Sequence, residues 1–204
     1  MELIPTQEEV LQLFRDCGAI RHGHFVTPSG LHSEIYLNVA LAMRYYQNAR
    51  TLGVALSRRV RAHTELRAMI PQLSVVSPGA PGIPVAYAVC EALRANQVYW
   101  AERDSPDQPL RFRQGVSEKV GEKVLMVDDI LRTGRRLTEL KSLVEQIGDQ
   151  PVGLAVMVYQ PNPETPSFEP LPFFYLARVE GRYWTNASDC ELCKAGMPTE
   201  DVRY

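Results

Sequence analysis

No apolar run in this chain approaches the ~20 residues that a membrane-crossing helix needs, so a helical membrane protein is not expected. Charge of one sign is lacking too. Twenty-two basic residues face 24 acidic ones for a net charge of −2, which gives no electrostatic basis for bulk nucleic-acid binding, and a nucleic-acid partner is not expected. The opening residues Met1-Glu2-Leu3-Ile4-Pro5 have neither the basic nor the apolar region of a signal peptide, and a cytoplasmic location is the expectation. Internal repeats and low-complexity segments are absent. The four cysteines are too few and too scattered for a disulfide framework. Cys17 and Cys90 fall among apolar residues of predicted helices and read as small core fillers. Cys190-Glu-Leu-Cys193 is a single C-x-x-C. A zinc site there would need two further ligands, and the four histidines all lie at or before His63, so a surface turn is the expected reading.

What the chain does have is an ordinary globular composition over 204 residues, with 45% hydrophobic and 23% charged residues. That is enough for one domain with a real core and a small appendage. The most informative stretch is Val124-Leu-Met-Val-Asp128-Asp129-Ile-Leu-Arg-Thr133-Gly134-Arg135-Arg136-Leu137. An apolar run reads as a buried parallel strand, and Leu137, Leu140, Leu143, Val144 and Ile147 recur behind it at helical spacing. The two acids therefore sit where a strand ends and a helix begins, the edge at which open α/β sheets bind ligands. Amides of residues 133–136 at the helix start suit a phosphate. Two acceptor-only carboxylates suit adjacent sugar hydroxyls. A sugar phosphate satisfies both.

The remaining pattern supports this placement. Thr6-Gln-Glu-Glu9 is a capping box opening a helix that Gly18 ends. Gly23 to Asn38 contains two strand-like pieces around Thr-Pro-Ser-Gly, the pattern of a hairpin. Residues 47–64 read as a helix whose Arg50, Arg58, Arg59 and Arg61 form a solvated face. Then strands and helices alternate: strand 73–77, turn 78–82, helix 84–93, strand 98–101, an aperiodic polar stretch over 104–120, the Asp128 unit, strand 152–158 and an edge strand at 173–177. Such alternation predicts an α/β fold with a central, mostly parallel sheet flanked by helices.

The run from Val124 to Arg136 resembles the 5-phosphoribosyl-1-diphosphate (PRPP) signature of the type I phosphoribosyltransferases, in which an apolar strand ends in two acids, two apolar residues and a phosphate loop. Asp128 and Asp129 match the acids, Ile130 and Leu131 the apolar pair, and Thr133-Gly134 the loop core. Arg132, Arg135 and Arg136 stand where the family often has small or hydroxyl residues. Arginine still meets phosphate well. The likeness covers most of the chain and is greatest to the orotate enzymes of the family. It implies that fold with a small N-terminal hood hairpin, and an organisation into residues 1–46 (helix and hood), 47–180 (core) and 181–204 (tail).

The resemblance also implies roles. Asp128 and Asp129 would hold the ribose hydroxyls and magnesium, directly or through water, with Arg103 as a further catalytic group. Ile130, Leu131, Arg132, Thr133, Gly134, Arg135 and Arg136 would bind PRPP. Pro78, Gly79, Ala80, Pro81 and Gly82 match the pyrophosphate loop, and Arg111 and Arg113 lie on the matching mobile loop. Tyr36, Leu37 and Gln160 fall at base-binding positions. The implied partners are PRPP, a nucleobase and a second subunit, as a homodimer. The implied reaction is transfer of ribose 5-phosphate to a pyrimidine, foremost orotate. The chain departs from the pattern at Pro81, where a lysine is common, in its lysine-poor mobile loop, and at Tyr159-Gln160, where many orotate enzymes have Asp-Arg. Two other readings stay open: a PRPP-binding regulator similar to pyrimidine-operon attenuators, and transfer to a different base.

Overall fold

The computed structural model describes residues 4–27, 30–105, 107–114, 121–163 and 165–202. The chain opens with α1 (Gln7–Asp16), the hairpin β1 (Ile20–Val26) and β2 (His32–Leu37), then α2 (Ala40–Met43), α3 (Tyr46–Ala62) and α4 (Thr64–Met69). The middle alternates β3 (Leu73–Ser77), α5 (Ile83–Leu93), β4 (Gln97–Glu102), β5 (Arg111–Phe112), β6 (Lys123–Leu131), α6 (Arg135–Gln146), β7 (Gln150–Tyr159) and β8 (Phe173–Arg178). The tail adds β9 (Tyr183–Trp184), α7 (Glu191–Lys194) and β10 (Glu200–Asp201).

Six strands form the central sheet in the order β5-β4-β3-β6-β7-β8. All its pairings are parallel except β4 with β5. Parallel strands covered on both faces must be apolar along their whole length, and the burial follows that rule. On β6 and β7, Leu125, Val127, Ala155 and Met157 pack into one core layer with α1, α3 and α5. The alternate residues Val124, Met126, Leu154 and Val156 pack into a second layer with Leu137, Leu140 and Val144 of α6. The capping box of α1 is present, with Glu9 N–H donating to Thr6 Oγ1 at 3.2 Å and Thr6 N–H to Glu9 Oε2 at 2.7 Å.

Three expectations need correction. The aperiodic stretch 104–120 is not wholly irregular where it is described: β5 folds back antiparallel on β4, pairing Ala101 with Phe112. Residues 106 and 115–120 lie outside the described residues. Arg61 does not belong to a solvated face, since its guanidinium donates to the Ala92 and Leu93 carbonyls at the end of α5, where a cation complements the helix dipole. The Cys190–Cys193 segment is not a surface turn. It forms the start of α7, and Cys190 is fully buried.

The tail does not stand apart. β10 pairs parallel with β1 and β9 pairs antiparallel with β2, giving a second sheet ordered β10-β1-β2-β9. A register shift between His22 and Phe25 marks a bulge in β1. Ile20, Ile35 and Leu37 join the main core from this sheet, while Phe25, Tyr36 and Val202 form a small separate cluster on it.

Candidate active site

Asp128 and Asp129 lie near the carboxyl end of β6, where Asp128 pairs with Val156 of β7 and Ile130 with Val158. Both are buried, yet both line a cavity of about 710 Å³, within the range of small-molecule sites. Leu31, Leu37, Asn38 and Ala40 close it from the hairpin side, Ala80 and Pro81 from the turn after β3, and residues 132–137 from the loop into α6. A wider groove of about 900 Å³ between α1 and the start of α3, lined by Leu13, Tyr45 and Tyr46, lies away from the acid pair.

Backbone hydrogen bonds fix the two acids. Asp129 N–H donates to Asp128 Oδ1 at 2.9 Å, and Ile130 N–H donates to Asp129 Oδ1 at 2.9 Å. The Arg136 guanidinium sits beside both, 3.4 Å from Asp128 Oδ2 and 3.3 Å from Asp129 Oδ1. Burial, and then the neighbouring Asp129 charge, push the Asp128 carboxyl well above the usual carboxylate range, while Arg136 pulls it back only partly. Gly82 is required directly beneath it. A Cβ there would lie 2.2 Å from Ser77 Oγ and 2.6 Å from Asp128 Oδ1, so the turn after β3 reaches the acid only because it carries no side chain.

The phosphate loop is equally local. Gly134 caps α6 in the left-handed region at φ +71°, with no side-chain cap, and a Cβ there would meet Pro166 Cδ at 2.6 Å. The first amides of a helix have no acceptor within it. Here Arg135, Arg136 and Leu137 form that first turn and line the cavity. The first turn of α6 holds no acid and two arginines, the reverse of the usual preference at a helix start. That arrangement makes sense for a site that receives an anion.

The structure gathers Asp128, Asp129, Ile130, Arg132, Thr133, Gly134, Arg135, Arg136, Ala80, Pro81 and Leu37 around one cavity. It places others elsewhere. Arg103 is paired with Glu139 of α6 and donates to the Gln108 carbonyl. Arg111 and Arg113 both pair with Asp104. Tyr36 packs against Phe25, with the Arg21 guanidinium 4.6 Å from its ring centroid. Gln160 is fully buried, and its Oε1 accepts from Arg132 Nε at 2.8 Å. It thus orients an arginine of the cavity. Pro78 and Gly79 precede the helical turn Ala80–Gly82 without lining the cavity, and Leu131 is buried in the core beneath it.

Leu31, Asn38, Ala40 and Leu137 line the cavity without having been expected there. Leu137 carried a signal, as the first apolar residue of the α6 stripe. The others depend on how the hairpin folds over the sheet. A magnesium ion fits the donor set: adjacent carboxylates offer the hard oxygens it prefers, with room for its water ligands.

A family model of the phosphoribosyl transferase domain matches residues 51–170. The orotate phosphoribosyltransferase of Thermoanaerobacter sp. (strain X514) is 31% identical over 94% of both chains. That of Acidithiobacillus ferrooxidans is 32% identical over 94% of this chain and 93% of its own. Among solved structures, the orotate phosphoribosyltransferase of Aeropyrum pernix superposes with a TM-score of 0.65 at 17% identity, covering 83% of this chain and 93% of its own. The Mycobacterium tuberculosis H37Rv enzyme in complex with inorganic phosphate gives 0.61 at 21%, covering 84% and 95%. These structures share the fold of a central parallel sheet flanked by helices. With the acid pair, the loop into α6 and the matched domain in one place, the chain belongs to the phosphoribosyltransferase family.

Proposed function

We propose that this chain transfers the 5-phosphoribosyl group of PRPP to orotate, giving orotidine 5′-monophosphate and pyrophosphate. The observation that carries the reading is the shared cavity, which the adjacent carboxylates of Asp128 and Asp129 line together with the first turn of α6. Relatives about 30% identical along nearly the whole chain carry the name orotate phosphoribosyltransferase, which supports orotate as the base.

In this reading the amides of residues 135–137, with Arg135, hold the 5-phosphate, and Asp128 and Asp129 hold the ribose hydroxyls. The turn at Ala80 and Pro81 faces the diphosphate. As the bond from the anomeric carbon to the diphosphate oxygen breaks, a ring nitrogen of the base forms the new bond to that carbon. Positive charge grows on the sugar, and the buried carboxylates stabilise it where little water competes. Positioning of the two substrates supplies much of the remaining acceleration. Magnesium, held by Asp128 and Asp129 directly or through water, would neutralise the departing diphosphate. Orotate is itself an anion. With Gln160 where a base-binding arginine is usual, Arg132 is the guanidinium that answers its carboxylate, held in place by Gln160.

Arg103 stands just before the loop over residues 104–120 and Arg111 and Arg113 lie within it; they would approach the diphosphate only on its rearrangement, exchanging Glu139 and Asp104 for the substrate. We further propose a cytoplasmic homodimer. Among the described residues no helix is long and apolar enough to cross a membrane.

The test is pyrophosphate release from PRPP and magnesium with orotate, uracil, adenine and guanine offered in turn. Release with orotate alone is the expected outcome. Release with a different base reassigns the substrate. PRPP binding with no release for any base turns the reading toward a regulator.

A further inference from the structure

Away from the cavity, four residues from opposite ends of the sequence meet. His24 of β1, His32 of β2, and Cys190 and Cys193 at the start of α7 bring their potential ligand atoms within 4.8 Å of one another. His24 Nε2 lies 2.8 Å from His32 Nδ1, 3.5 Å from Cys190 Sγ and 3.6 Å from Cys193 Sγ, and Cys193 Sγ lies 3.5 Å from His32 Nδ1. We propose that these four residues form a tetrahedral zinc site that fastens the tail to the hood hairpin.

The spacing carries the argument. Zinc bonds of about 2.0–2.1 Å to nitrogen and about 2.3 Å to sulfur set ligand atoms roughly 3.3–3.8 Å apart around a tetrahedron. Three of the sulfur–nitrogen separations, at 3.5, 3.6 and 3.5 Å, already fall in that range; the two ring nitrogens, at 2.8 Å, need to part by about half an ångström, and every remaining pair lies within 4.8 Å. Both cysteines are free thiols. His24 is 1% exposed, His32 8% and Cys190 0%, so these ligands are withdrawn from water as in a closed structural centre.

A second observation concerns His24 alone. Its Nδ1 lies 2.8 Å from the Met197 carbonyl oxygen. A carbonyl only accepts, so Nδ1 carries the hydrogen and Nε2 presents a lone pair to the other three residues. Zinc-bound histidines are oriented in this way by a backbone carbonyl on the far nitrogen. Two thiolates and two imidazoles select zinc over magnesium or calcium. Four protein ligands leave no position for substrate, so the role is structural.

The site joins β1, β2 and α7, next to where Val202 N–H donates to the Val26 carbonyl at 3.1 Å. It fixes the hairpin whose other end contributes Leu37 to the active-site cavity. The inference does not depend on which base the enzyme accepts.

The experiment is metal analysis of the full chain, purified under reducing conditions, supplied with zinc and then dialysed. One zinc per chain is expected, retained in Cys17→Ser and lost in Cys193→Ser. Because a ligand variant can misfold, the wild-type protein is also loaded with cobalt(II). A tetrahedral visible spectrum with thiolate charge-transfer bands is expected. A zinc-selective chelator should lower the melting temperature of the wild type and leave Cys193→Ser unmoved. Substoichiometric zinc in the wild type after loading, a cobalt spectrum without thiolate bands, or undiminished zinc in a folded Cys193→Ser would each overturn the proposal.

Discussion

At the scale of single residues, the cavity is organised around one costly group. Asp128 has its carboxyl raised by burial and by Asp129. Between the ordinary carboxylate pKa of about 3.9 and its raised folded value, the native state therefore binds the proton more tightly than the unfolded chain does. The stability this gives is complete below the unfolded value and is lost as pH rises toward the folded one. Asp128→Asn stays neutral throughout. Its stability relative to the wild type should rise with pH above 4 while turnover collapses, measured by urea unfolding across pH alongside pyrophosphate release. A pH-independent stability difference would remove the assigned cause. Gly82 is the second such residue. Gly82→Ala forces a methyl against Ser77 Oγ and Asp128 Oδ1. Overpacking of this kind costs about 1–3 kcal/mol, and kcat should fall further than that loss of stability explains, because the displaced atom belongs to the acid. Unchanged kcat in a destabilised variant would separate Gly82 from the chemistry.

At the scale of elements, α6 serves two masters. Its first turn carries Arg135 and Arg136 where an isolated helix would favour acids. Arg135 is exposed and makes none of the ion pairs that Arg136 makes with the acid pair. Arg135→Glu should therefore stabilise the free protein by ~0.3–1 kcal/mol and weaken binding of inorganic phosphate, two effects of opposite sign in one variant. Thermal unfolding with and without phosphate reads both. A loss in each would contradict the arrangement. Much of this element was legible beforehand. The run into Asp128-Asp129, the Thr133-Gly134 break and the Leu137, Leu140, Val144 stripe are contiguous, and each obeys a local period. The two-residue strands β5, β9 and β10 have no period to detect. Their existence is decided by partners: Arg111 and Phe112 are a strand only because β4 lies alongside. The placement of Arg103 was hidden for a similar reason, since nothing near it in sequence announces Glu139 as its counter-ion. Likewise the Cys-x-x-C looked incomplete, because its complement sits on a hairpin at the other end of the chain.

At the scale of the whole molecule, the two ends of the chain are woven into a single small sheet, with Phe25 paired to Glu200 and His32 to Trp184. Leu37 of that sheet lines the cavity, so the C-terminal strands pair with the hairpin that carries it to a site whose chemistry comes from β6. The molecule carries a net charge of −2, yet Arg132, Arg135 and Arg136 all line the cavity. Anionic substrates thus meet a local field opposite in sign to the total.

The buried carboxyl also has a calorimetric consequence. A ligand that brings magnesium and hydroxyl donors to Asp128 favours its ionised form, so binding of the PRPP–magnesium complex should expel hydrogen ions into solution. The heat of association would then vary with the ionisation enthalpy of the buffer chosen, and the slope would count the ions expelled per site. Asp128→Asn should reduce that dependence, and an unchanged slope would remove Asp128 as a source of the ions.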